Sequence, residues 1–402
     1  MTRAARLRTR ATRRFYRLLY ALYRGLFPTR VPRGPVDPAR VRRLLVARTE
    51  RLGDLVVLAP TLSYLRARLP GAEIDVLAGP ANASLLAGDP RVGRVYVHEP
   101  TWRGWLRSVR ALRARRYDVV FSTRLRDHGA EGLFAALVAG RHGARLTGRR
   151  PPEFAGFFTH RVRVPRGRSH VVARLLYLAR SAFGDRPAPP VAADLAEFPP
   201  ALRVDPAAEG RVGARLAGLT GGGAYVALNA WGRDPRRSFP VAYAGALAAA
   251  VARRCAGAAV VLTPPPGREA EAAAIAAAAR ALGASGVGVA PPSPDLAELV
   301  ALLRGAAVVV TPDTANVHLA SALGTPLVAV YTPLAVAERE WGAWGPRVRV
   351  VRLAEPRPLS DVPVEEVAAA CEALWREAGG GGRDAAAPER AAVDGRALER
   401  VR

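Results

Sequence analysis

An acidic residue follows the first apolar run of the chain, where a carboxylate could act as a general base. Leu44–Ala47 is predicted to be a buried strand, and the polar segment 48–54 after it ends in a flexible glycine, Gly53, and Asp54. A carboxylate at this position could remove a proton from a bound hydroxyl, and the glycine would let a substrate approach the backbone. Aspartate also commonly caps helices, so a structural role for Asp54 stays open.

A second polar segment lies between a predicted strand and a predicted helix in the C-terminal half, over residues 311–318. Backbone N–H groups at a helix N-terminus bind anions, and Asp313 and Thr314 are natural caps there. Ala315 is small enough to allow close approach. His318 lies one turn into the helix, which favours contact with a ligand at the helix start, although a lone histidine is often structural.

Two more polar loops follow predicted strands in the same half. The segment 229–240 contains three arginines, among them Arg237, and these could bind phosphates through bidentate hydrogen bonds. In so arginine-rich a chain, solvated loop arginines are the alternative. The segment 267–269 ends in Glu269, whose carboxylate could accept hydrogen bonds from a ribose.

The elements that must position these residues alternate between short apolar runs and helical patterns. Predicted strands are Leu44–Ala47, Ile74–Leu77, Val95–Val97, Val119–Phe121, Tyr225–Leu228, Ala259–Leu262, Val287–Val289, Val308–Val310 and Leu327–Val330. Predicted helices include Leu55–Leu69, Glu269–Leu282, Leu296–Arg304, Val317–Leu323 and Val364–Trp375. This alternation predicts α/β domains with parallel sheets, in which ligands bind at the carboxyl ends of strands.

The composition divides the chain into four parts. We expect one α/β domain over residues 41–200 and another over 201–378, because the stretch 186–223 is rich in Pro, Gly and Ala. Residues 1–40 form a basic amphipathic segment with a Pro-rich linker. Residues 379–402 begin with four glycines and are predicted to be a disordered tail.

The net charge of +26 favours anionic partners, namely phosphates, acidic lipids or nucleic acid. All 60 basic residues are arginine, which we attribute in part to GC-rich coding, and 13 of them lie in residues 1–43 beside a single acid. Within residues 13–27, apolar and aromatic side chains recur at helical spacing, which predicts a helix lying on an anionic membrane surface. A helix that packs on the protein body with solvated arginines is the alternative.

Several classes of protein are disfavoured by missing motifs. The six histidines lack zinc-ligand spacing, and the sequence has no Walker, GxSxG or Asp-x-Asp motif and no GxGxxG after the first strand. We therefore expect no metal, and arginines and helix dipoles would neutralise a bound diphosphate. Cys255 and Cys371 cannot build a disulfide framework, and no apolar run approaches the ~20 residues of a membrane span. With no secretory signal evident, these features predict a cytoplasmic protein.

Taken together, the four polar segments resemble those of glycosyltransferase family 9, the heptosyltransferase family of bacterial lipopolysaccharide synthesis. The resemblance covers roughly residues 41–350 and is sharpest at 48–70, 226–240 and 311–333. It implies a GT-B-like fold, with two doubly wound Rossmann-like domains facing a central cleft. The N-terminal domain would bind the acceptor and the C-terminal domain a nucleotide-sugar donor.

The resemblance also implies roles for individual residues. By position, Asp54 matches the catalytic base, and Arg48, Thr49 and Gly53 belong to its loop on the acceptor side. The implied donor-binding residues are Arg237, Glu269, Asp313, Thr314, Ala315 and His318.

Three positions depart from the usual family pattern. Ala315 stands where a glycine is usual, Arg237 where many members have lysine, and Phe239 where they have tryptophan. The exchange of lysine for arginine keeps the positive charge but replaces a point charge with a planar fork of donors.

The implied activity is an inverting transfer of a heptose-like sugar, without cofactor, from ADP-heptose or another nucleotide-diphosphate sugar. The implied acceptor is an anionic glycolipid or polysaccharide of the cell envelope, and the enzyme would work on the inner face of the cytoplasmic membrane. A nucleotide-sugar epimerase of the same fold is the main alternative. A basic nucleic-acid-binding protein is less favoured, because the charge concentrates in a terminal helix and no nucleic-acid-binding motif is evident.

Overall fold

The computed structural model divides into two compact units, Met1–Ala192 (unit 1) and Ala193–Arg402 (unit 2). It describes residues 15, 17–23, 25, 34–49, 51–123, 129–140, 143–147, 157–162, 169–185, 201–332, 340–355 and 357–380. The predicted domain boundary at residue 200 falls in a stretch outside these residues and stays a prediction, as does the predicted tail beyond residue 380.

Unit 1 contains a six-stranded parallel sheet in the order β3-β2-β1-β4-β5-β6. Its strands are β1 (Arg43–Arg48), β2 (Glu73–Ala78), β3 (Val95–Val97), β4 (Val119–Ser122), β5 (Ala144–Thr147) and β6 (His160–Arg161). Its helices are α1 (Leu52–Val56), α2 (Ala59–Arg68), α3 (Trp102–Ala114), α4 (Gly129–Ala139) and α5 (Val171–Ala182), with short 3-10 helices at Pro38–Arg40 and Ala83–Leu86.

The strand order of unit 1 creates a switch point between β1 and β4. From β1 the chain builds outward through β2 to β3, then crosses back to place β4 on the other side of β1. At such a point the loops after the two central strands diverge, and the crevice between them is where open parallel sheets bind ligands. Residues 49 and 51–54 follow β1 and Thr123 follows β4, so both loops lie at this edge.

The central strands are apolar because both faces of the sheet are covered. All of β1 except its first residue is buried, and β4 is buried throughout. Helices α3 and α4 pack on the face that carries Leu45 and Val120. This arrangement explains why the strands appear in the sequence as continuous apolar runs rather than as alternating patterns.

The helix predicted over Leu55–Leu69 is two helices, α1 and α2, and the prediction of one continuous helix is wrong. Pro60 is the second residue of α2. Its ring would clash with the carbonyl of Val56 in a continuous helix, and it has no N–H to donate to that carbonyl. At the start of a new helix the same proline is well tolerated.

Unit 2 contains a second six-stranded parallel sheet, in the order β12-β11-β10-β7-β8-β9. Its strands are β7 (Tyr225–Leu228), β8 (Ala259–Leu262), β9 (Val287–Val289), β10 (Val308–Pro312), β11 (Leu327–Tyr331) and β12 (Val348–Arg352). Its helices are α6 (Pro206–Thr220), α7 (Val241–Arg254), α8 (Glu269–Ala281), α9 (Leu296–Gly305), α10 (Ala315–Leu323) and α11 (Val364–Glu377), with 3-10 helices at Pro235–Arg237 and Leu359–Asp361.

The sheet of unit 2 has its own switch point, between β7 and β10. The chain runs from β7 outward to β9, then returns to build β10, β11 and β12 on the opposite side of β7. The loops after β7 and β10 therefore meet at the carboxyl edge of the sheet. These are the loops that contain Arg237 and Asp313.

The predicted fold class of two parallel-sheet α/β domains is confirmed. Strands β7, β8 and β9 have the predicted bounds, whereas α10 begins at Ala315, two residues earlier than predicted. The earlier start follows from Thr314, whose hydroxyl accepts a hydrogen bond from the backbone N–H of Asn316 at 3.2 Å and caps the helix.

The described part of the N-terminal segment packs on the protein body, and its predicted contact with a membrane stays a prediction. Residues 17–23 are helical, and the rings of Tyr20 and Tyr23 each lie 5.1 Å from that of Phe157 in unit 1. Leu18 and Leu22 are exposed on the same segment. One side of this helix thus packs on the protein body while apolar side chains on another side face solvent. Of residues 13–27, the structure describes 15, 17–23 and 25, and the others lie outside the described residues. Within the described part of the chain, no helix is long and apolar enough to span a bilayer.

Unit 2 packs its alanine-rich helices α7 and α8 at close range, and a glycine makes this possible. A Cβ on Gly245 in α7 would lie 2.6 Å from the Cβ of Ala278 in α8. Gly213, inside α6, has no heavy atom of another part of the chain within 4 Å of the place where its Cβ would lie.

We expect the same substitution at these two glycines to change stability in opposite directions. Gly213→Ala should raise the free energy of unfolding by roughly 0.5–1 kcal/mol, because alanine has the higher helix propensity. Gly245→Ala should lower it, because overpacking costs about 1–3 kcal/mol and exceeds that gain. Urea unfolding followed by circular dichroism measures both variants, and a stabilised Gly245→Ala protein would contradict the close packing of α7 on α8.

Candidate active-site residues

Arg48 and Asp54 form a buried ion pair at the switch point of unit 1. Arg48 Nη2 lies 3.0 Å from Asp54 Oδ1, and the arginine side chain is buried. The same guanidinium donates to the backbone carbonyl of Asp54 at 3.1 Å and to that of Thr123 at 2.9 Å. Arg48 therefore joins the loop after β1 to the loop after β4, and it holds the Asp54 carboxylate at the edge of the sheet.

The Asp54 carboxylate also has the capping role that its position suggested. Its Oδ2 accepts a hydrogen bond from the backbone N–H of Arg51 at 3.0 Å, in the first turn of α1. A carboxylate has about four lone-pair sites, and these two contacts leave others available. The side chain is 15% exposed, so structural capping and proton transfer are compatible at this residue. Its role as a base stays a prediction.

The loop that contains these residues packs tightly against the loop after β2. A Cβ on Gly79 would lie 2.6 Å from the carbonyl oxygen of Thr49, so only glycine fits there without a shift. Asn82 accepts from the N–H of Gly79 at 2.8 Å and donates to the carbonyl of Arg51 at 3.3 Å. Gly53 is buried inside α1, and the substrate approach expected at its backbone stays a prediction.

Arg237 and Asp313 form the corresponding pair at the switch point of unit 2. Arg237 Nη1 lies 2.9 Å from Asp313 Oδ2, and both side chains are partly exposed. Arg237 lies at the end of the 3-10 helix after β7, and Asp313 lies between β10 and α10. The structure thus brings together two residues that are 76 positions apart in the sequence and that were both predicted as donor-binding residues.

A buried hydrogen-bond network lies beneath this pair. Asn229 Nδ2 donates to the hydroxyl of Thr311 at 2.9 Å and to the carbonyl of Trp231 at 3.0 Å. The hydroxyls of Thr311 and Thr314 lie 3.1 Å apart. Because the network joins the end of β7 to the end of β10, it fixes the relative position of the two loops. Asn229 and Thr311 were not predicted as supporting residues, although both are polar residues directly at the ends of apolar runs.

The start of α10 contains the remaining predicted residues of this segment. Thr314 is the N-cap, whereas Asp313 precedes the cap and pairs with Arg237 instead. Ala315 is the first residue of the helix and is partly exposed. His318 is only 8% exposed, and its ring centroid lies 5.9 Å from that of Trp344 and 6.3 Å from that of Trp341. Two tryptophan rings thus lie beside His318, which was not expected from the sequence, and its predicted contact with the donor stays a prediction.

The arginines of the 229–240 loop have different partners. Arg236 pairs with its near neighbour Asp234 at 2.6 Å, and this hydrogen bond lowers the pKa of Asp234 to about 2. Arg236 is almost fully exposed, with 89% of its side chain accessible, against 41% for Arg237. Arg236 fits a solvated loop arginine, and Arg237 is the one that reaches across to the neighbouring loop.

Glu269 is the first residue of α8, after β8. Its carboxylate accepts a hydrogen bond from the backbone N–H of Gly267 at 3.1 Å, and backbone hydrogen bonds lower the pKa of the carboxyl group. The side chain is exposed and charged at the carboxyl edge of the sheet, and its predicted contact with a ribose stays a prediction. Among the described residues, no group of three or more His, Cys, Asp or Glu side chains could hold a metal ion.

Comparisons with known proteins agree with this architecture. A structure of a family 9 glycosyl transferase from Veillonella parvula matches with a TM-score of 0.70 at 18% identity, over 85% of this chain and 98% of that chain. The ADP-heptose LPS heptosyltransferase II of E. coli matches with a TM-score of 0.68 at 23% identity, over 84% of this chain and 99% of that chain. The E. coli heptosyltransferase WaaC with ADP matches with a TM-score of 0.63 at 21% identity, over 83% of this chain and 99% of that chain. A comparison with curated proteins gave no match.

The two parallel-sheet units therefore match GT-B-like heptosyltransferase structures in fold. The family model described as glycosyltransferase family 9 (heptosyltransferase) matches residues 105–365, which is more than half of the sequence. The chain belongs to glycosyltransferase family 9 and is a glycosyltransferase.

Proposed function

We propose that this enzyme transfers a heptose-like sugar, with inversion, from a nucleoside-diphosphate sugar to the hydroxyl of a cell-envelope acceptor. The observation that carries the proposal is that each sheet has a predicted reactive side chain at its own switch point. Unit 1 has Asp54 there and would bind the acceptor; unit 2 has Arg237 there and would bind the donor. A carboxylate and an arginine are the groups that a base-assisted displacement of a diphosphate requires.

The donor diphosphate would bind at Arg237 and the N-terminus of α10. The guanidinium can donate two parallel hydrogen bonds to phosphate oxygens, and the first N–H groups of α10 can donate more. Asp313 would repel a diphosphate if it were unpaired, so its role in this proposal is to hold Arg237 in position. The E. coli relatives are described with ADP and ADP-heptose, which supports an adenosine-diphosphate heptose as donor.

In the proposed reaction, Asp54 takes the proton of the acceptor hydroxyl while the hydroxyl oxygen attacks the anomeric carbon. The bond between that carbon and the diphosphate breaks on the opposite face, so the configuration inverts and the nucleoside diphosphate leaves with the electron pair. Arg48 and the N–H of Arg51 keep the carboxylate oriented. Arg237 and the dipole of α10 would stabilise the negative charge that develops on the leaving group, without a metal.

The acceptor would be an anionic glycolipid or saccharide, and the enzyme would work in the cytoplasm on the inner face of the cytoplasmic membrane. The exposed apolar side chains Phe15, Leu18 and Leu22 support this location, since the arginine-rich segment 13–27 would then contact anionic lipid. A nucleotide-sugar epimerase needs no acceptor, so product analysis with the donor alone separates that alternative from the proposal.

We expect Asp54→Asn to lower the rate of sugar transfer by about 10²–10⁴, the usual contribution of a general base, with little change in donor binding. Asparagine keeps the shape of the side chain but cannot take the proton. Release of nucleoside diphosphate with donor and acceptor measures transfer, and calorimetric titration with ADP measures binding. Asp205→Asn, which exchanges one good helix cap for another in α6, should leave both unchanged. An equal loss of transfer and ADP binding would contradict the role of Asp54 as a base.

Arg237→Ala should weaken ADP binding by roughly 10- to 100-fold, because hydrogen bonds to charged groups contribute about 1.5–3 kcal/mol. The matched control is Arg236→Ala, one residue away, whose side chain pairs with Asp234 and is exposed. That variant should bind ADP within about twofold of the wild type. If both variants weaken ADP binding to the same extent, the loop acts through its overall charge and Arg237 has no specific contact.

Replacing Leu18 and Leu22 together by serine should weaken binding of the full chain to vesicles that contain phosphatidylglycerol. These side chains are exposed, so the packing of Tyr20 and Tyr23 on Phe157 is retained. Binding of the wild type should also fall as the salt concentration rises, because salt screens the arginines. Vesicle co-sedimentation measures both effects, and unchanged binding by the double variant would remove residues 13–27 from the proposed membrane contact.

A further inference from the structure

The exposed large apolar side chains are unevenly distributed over the described part of the chain. Unit 2 has two, Leu282 and Val350. Unit 1 has six, three in the N-terminal segment and three at the end of β3 and the start of α3. These last three are Val97, Trp102 and Leu106. Single exposed apolar residues are ordinary on protein surfaces, but three within ten consecutive residues make this part of unit 1 a candidate binding surface.

Helix α3 does not need Trp102 or Leu106 to pack on unit 1. The buried residues of α3 are Gly104, Val109 and Leu112, and the ring of Trp105 packs edge-on against Phe134 at 6.3 Å. Trp102 and Leu106 lie one turn apart, with 69% and 44% of their area exposed. They are therefore large apolar side chains on the solvent side of a helix that is already anchored.

The start of α3 is held in place by the local structure. The Thr101 hydroxyl accepts a hydrogen bond from the N–H of Gly104 at 3.0 Å and caps the helix. A Cβ on Gly104 would lie 2.5 Å from the carbonyl oxygen of Glu99, so the glycine allows the chain to turn tightly before the helix. The backbone that bears Trp102 is thus tied to the preceding turn.

The charge of α3 fits an anionic surface. Its thirteen residues include four arginines and no acid. Arg103, Arg107 and Arg110 are exposed. The guanidinium of Arg103 lies 5.2 Å from the ring centroid of Trp102, and Arg107 pairs with Glu99 just before the helix. Tryptophan and arginine together on the exposed side of a helix are typical of peripheral helices at the headgroup level of a membrane.

The position of α3 in the fold matches this role. Because β3 runs parallel to β1, α3 begins at the same carboxyl edge of the sheet as the Asp54 loop. An acceptor anchored in a bilayer presents its hydroxyl close to the membrane surface, so a membrane contact is useful only near that edge. This step rests on the proposed function; the exposure and charge of α3 do not.

We propose that Val97, Trp102 and Leu106, with Arg103, Arg107 and Arg110, form a second membrane-docking surface, here called the α3 surface. Its partner is an anionic lipid bilayer, with Trp102 at the headgroup level and the arginines on lipid phosphates. A second copy of this chain is a poor partner, because each copy has a net charge of +26 and would bring arginines against arginines.

The test uses the full chain and vesicles of phosphatidylcholine with and without phosphatidylglycerol. Replacing Trp102 and Leu106 together by serine should weaken binding to the anionic vesicles about tenfold, since two apolar side chains that would be partly buried in the bilayer are lost. The matched control is Leu282→Ser, an exposed apolar residue of unit 2, which should bind like the wild type. Arg107→Ser with Arg110→Ser should weaken binding only to the anionic vesicles.

A second measurement places Trp102 itself at the membrane. Brominated lipids quench tryptophan fluorescence at close range, and Trp102→Phe should still bind vesicles but lose much of this quenching. The proposal is overturned if the serine variant binds like the wild type, or if Trp102→Phe is quenched as strongly as the wild type. It is also overturned if light scattering shows that Trp102 variants change self-association and leave vesicle binding unchanged.

The failure of this proposal can be distinguished from failure of the proposed function. Under the proposed function, stabilisation of the chain by ADP in thermal unfolding would depend on unit 2 and not on the α3 surface. A serine variant that binds ADP like the wild type but binds anionic vesicles more weakly supports the α3 surface and leaves donor binding intact. A wild-type chain that binds vesicles but no nucleoside diphosphate would overturn the proposed transfer and leave the α3 surface standing.

Discussion

The parallel pairing of the described strands is the constraint on which the site depends. Parallel strands need long crossovers, and the helices of those crossovers cover both faces of the sheet. Polar groups are then accommodated at the strand ends. The loops that follow the strands diverge at the switch points, which lie between β1 and β4 and between β7 and β10. The buried polar residues Arg48, Asn229 and Thr311 lie at these places.

Burial then makes these polar ends rigid, because an unpaired polar group inside the protein is costly. Arg48 meets this requirement with oxygen acceptors from Asp54 and Thr123, which lie in two different loops, and Asn229 meets it through Thr311 and Trp231. Each network therefore fixes the loops that bear the candidate reactive groups. Such preorganisation is what electrostatic stabilisation of a leaving group requires.

In a chain whose basic residues are all arginine, charge alone does not identify a site. The neighbours Arg236 and Arg237 show this point. Arg236 pairs within its own turn with Asp234, whereas Arg237 pairs with Asp313 across the switch point. Composition and spacing do not distinguish these two arginines, whereas the family resemblance singled out Arg237. The strand order explains why Arg237 can reach Asp313, because it places the loop after β7 beside the loop after β10. The same reasoning applies to Asp54, whose buried partner Arg48 distinguishes it from an ordinary helix cap.

The sequence predicted the strands well where they are continuous apolar runs, as in β7, β8 and β9. It did not predict β12, an edge strand in which Arg349 and Arg352 interrupt the valines and which is largely unburied. It located Asp54, Arg237 and Asp313 at strand ends, because polar residues directly after apolar runs are visible in the sequence.

The sequence did not predict the contacts between loops. Thr123 reaches Arg48 only through the order of the strands, and Trp341 and Trp344 reach His318 from beyond β11. Periodicity specifies local elements, whereas contacts between loops depend on topology.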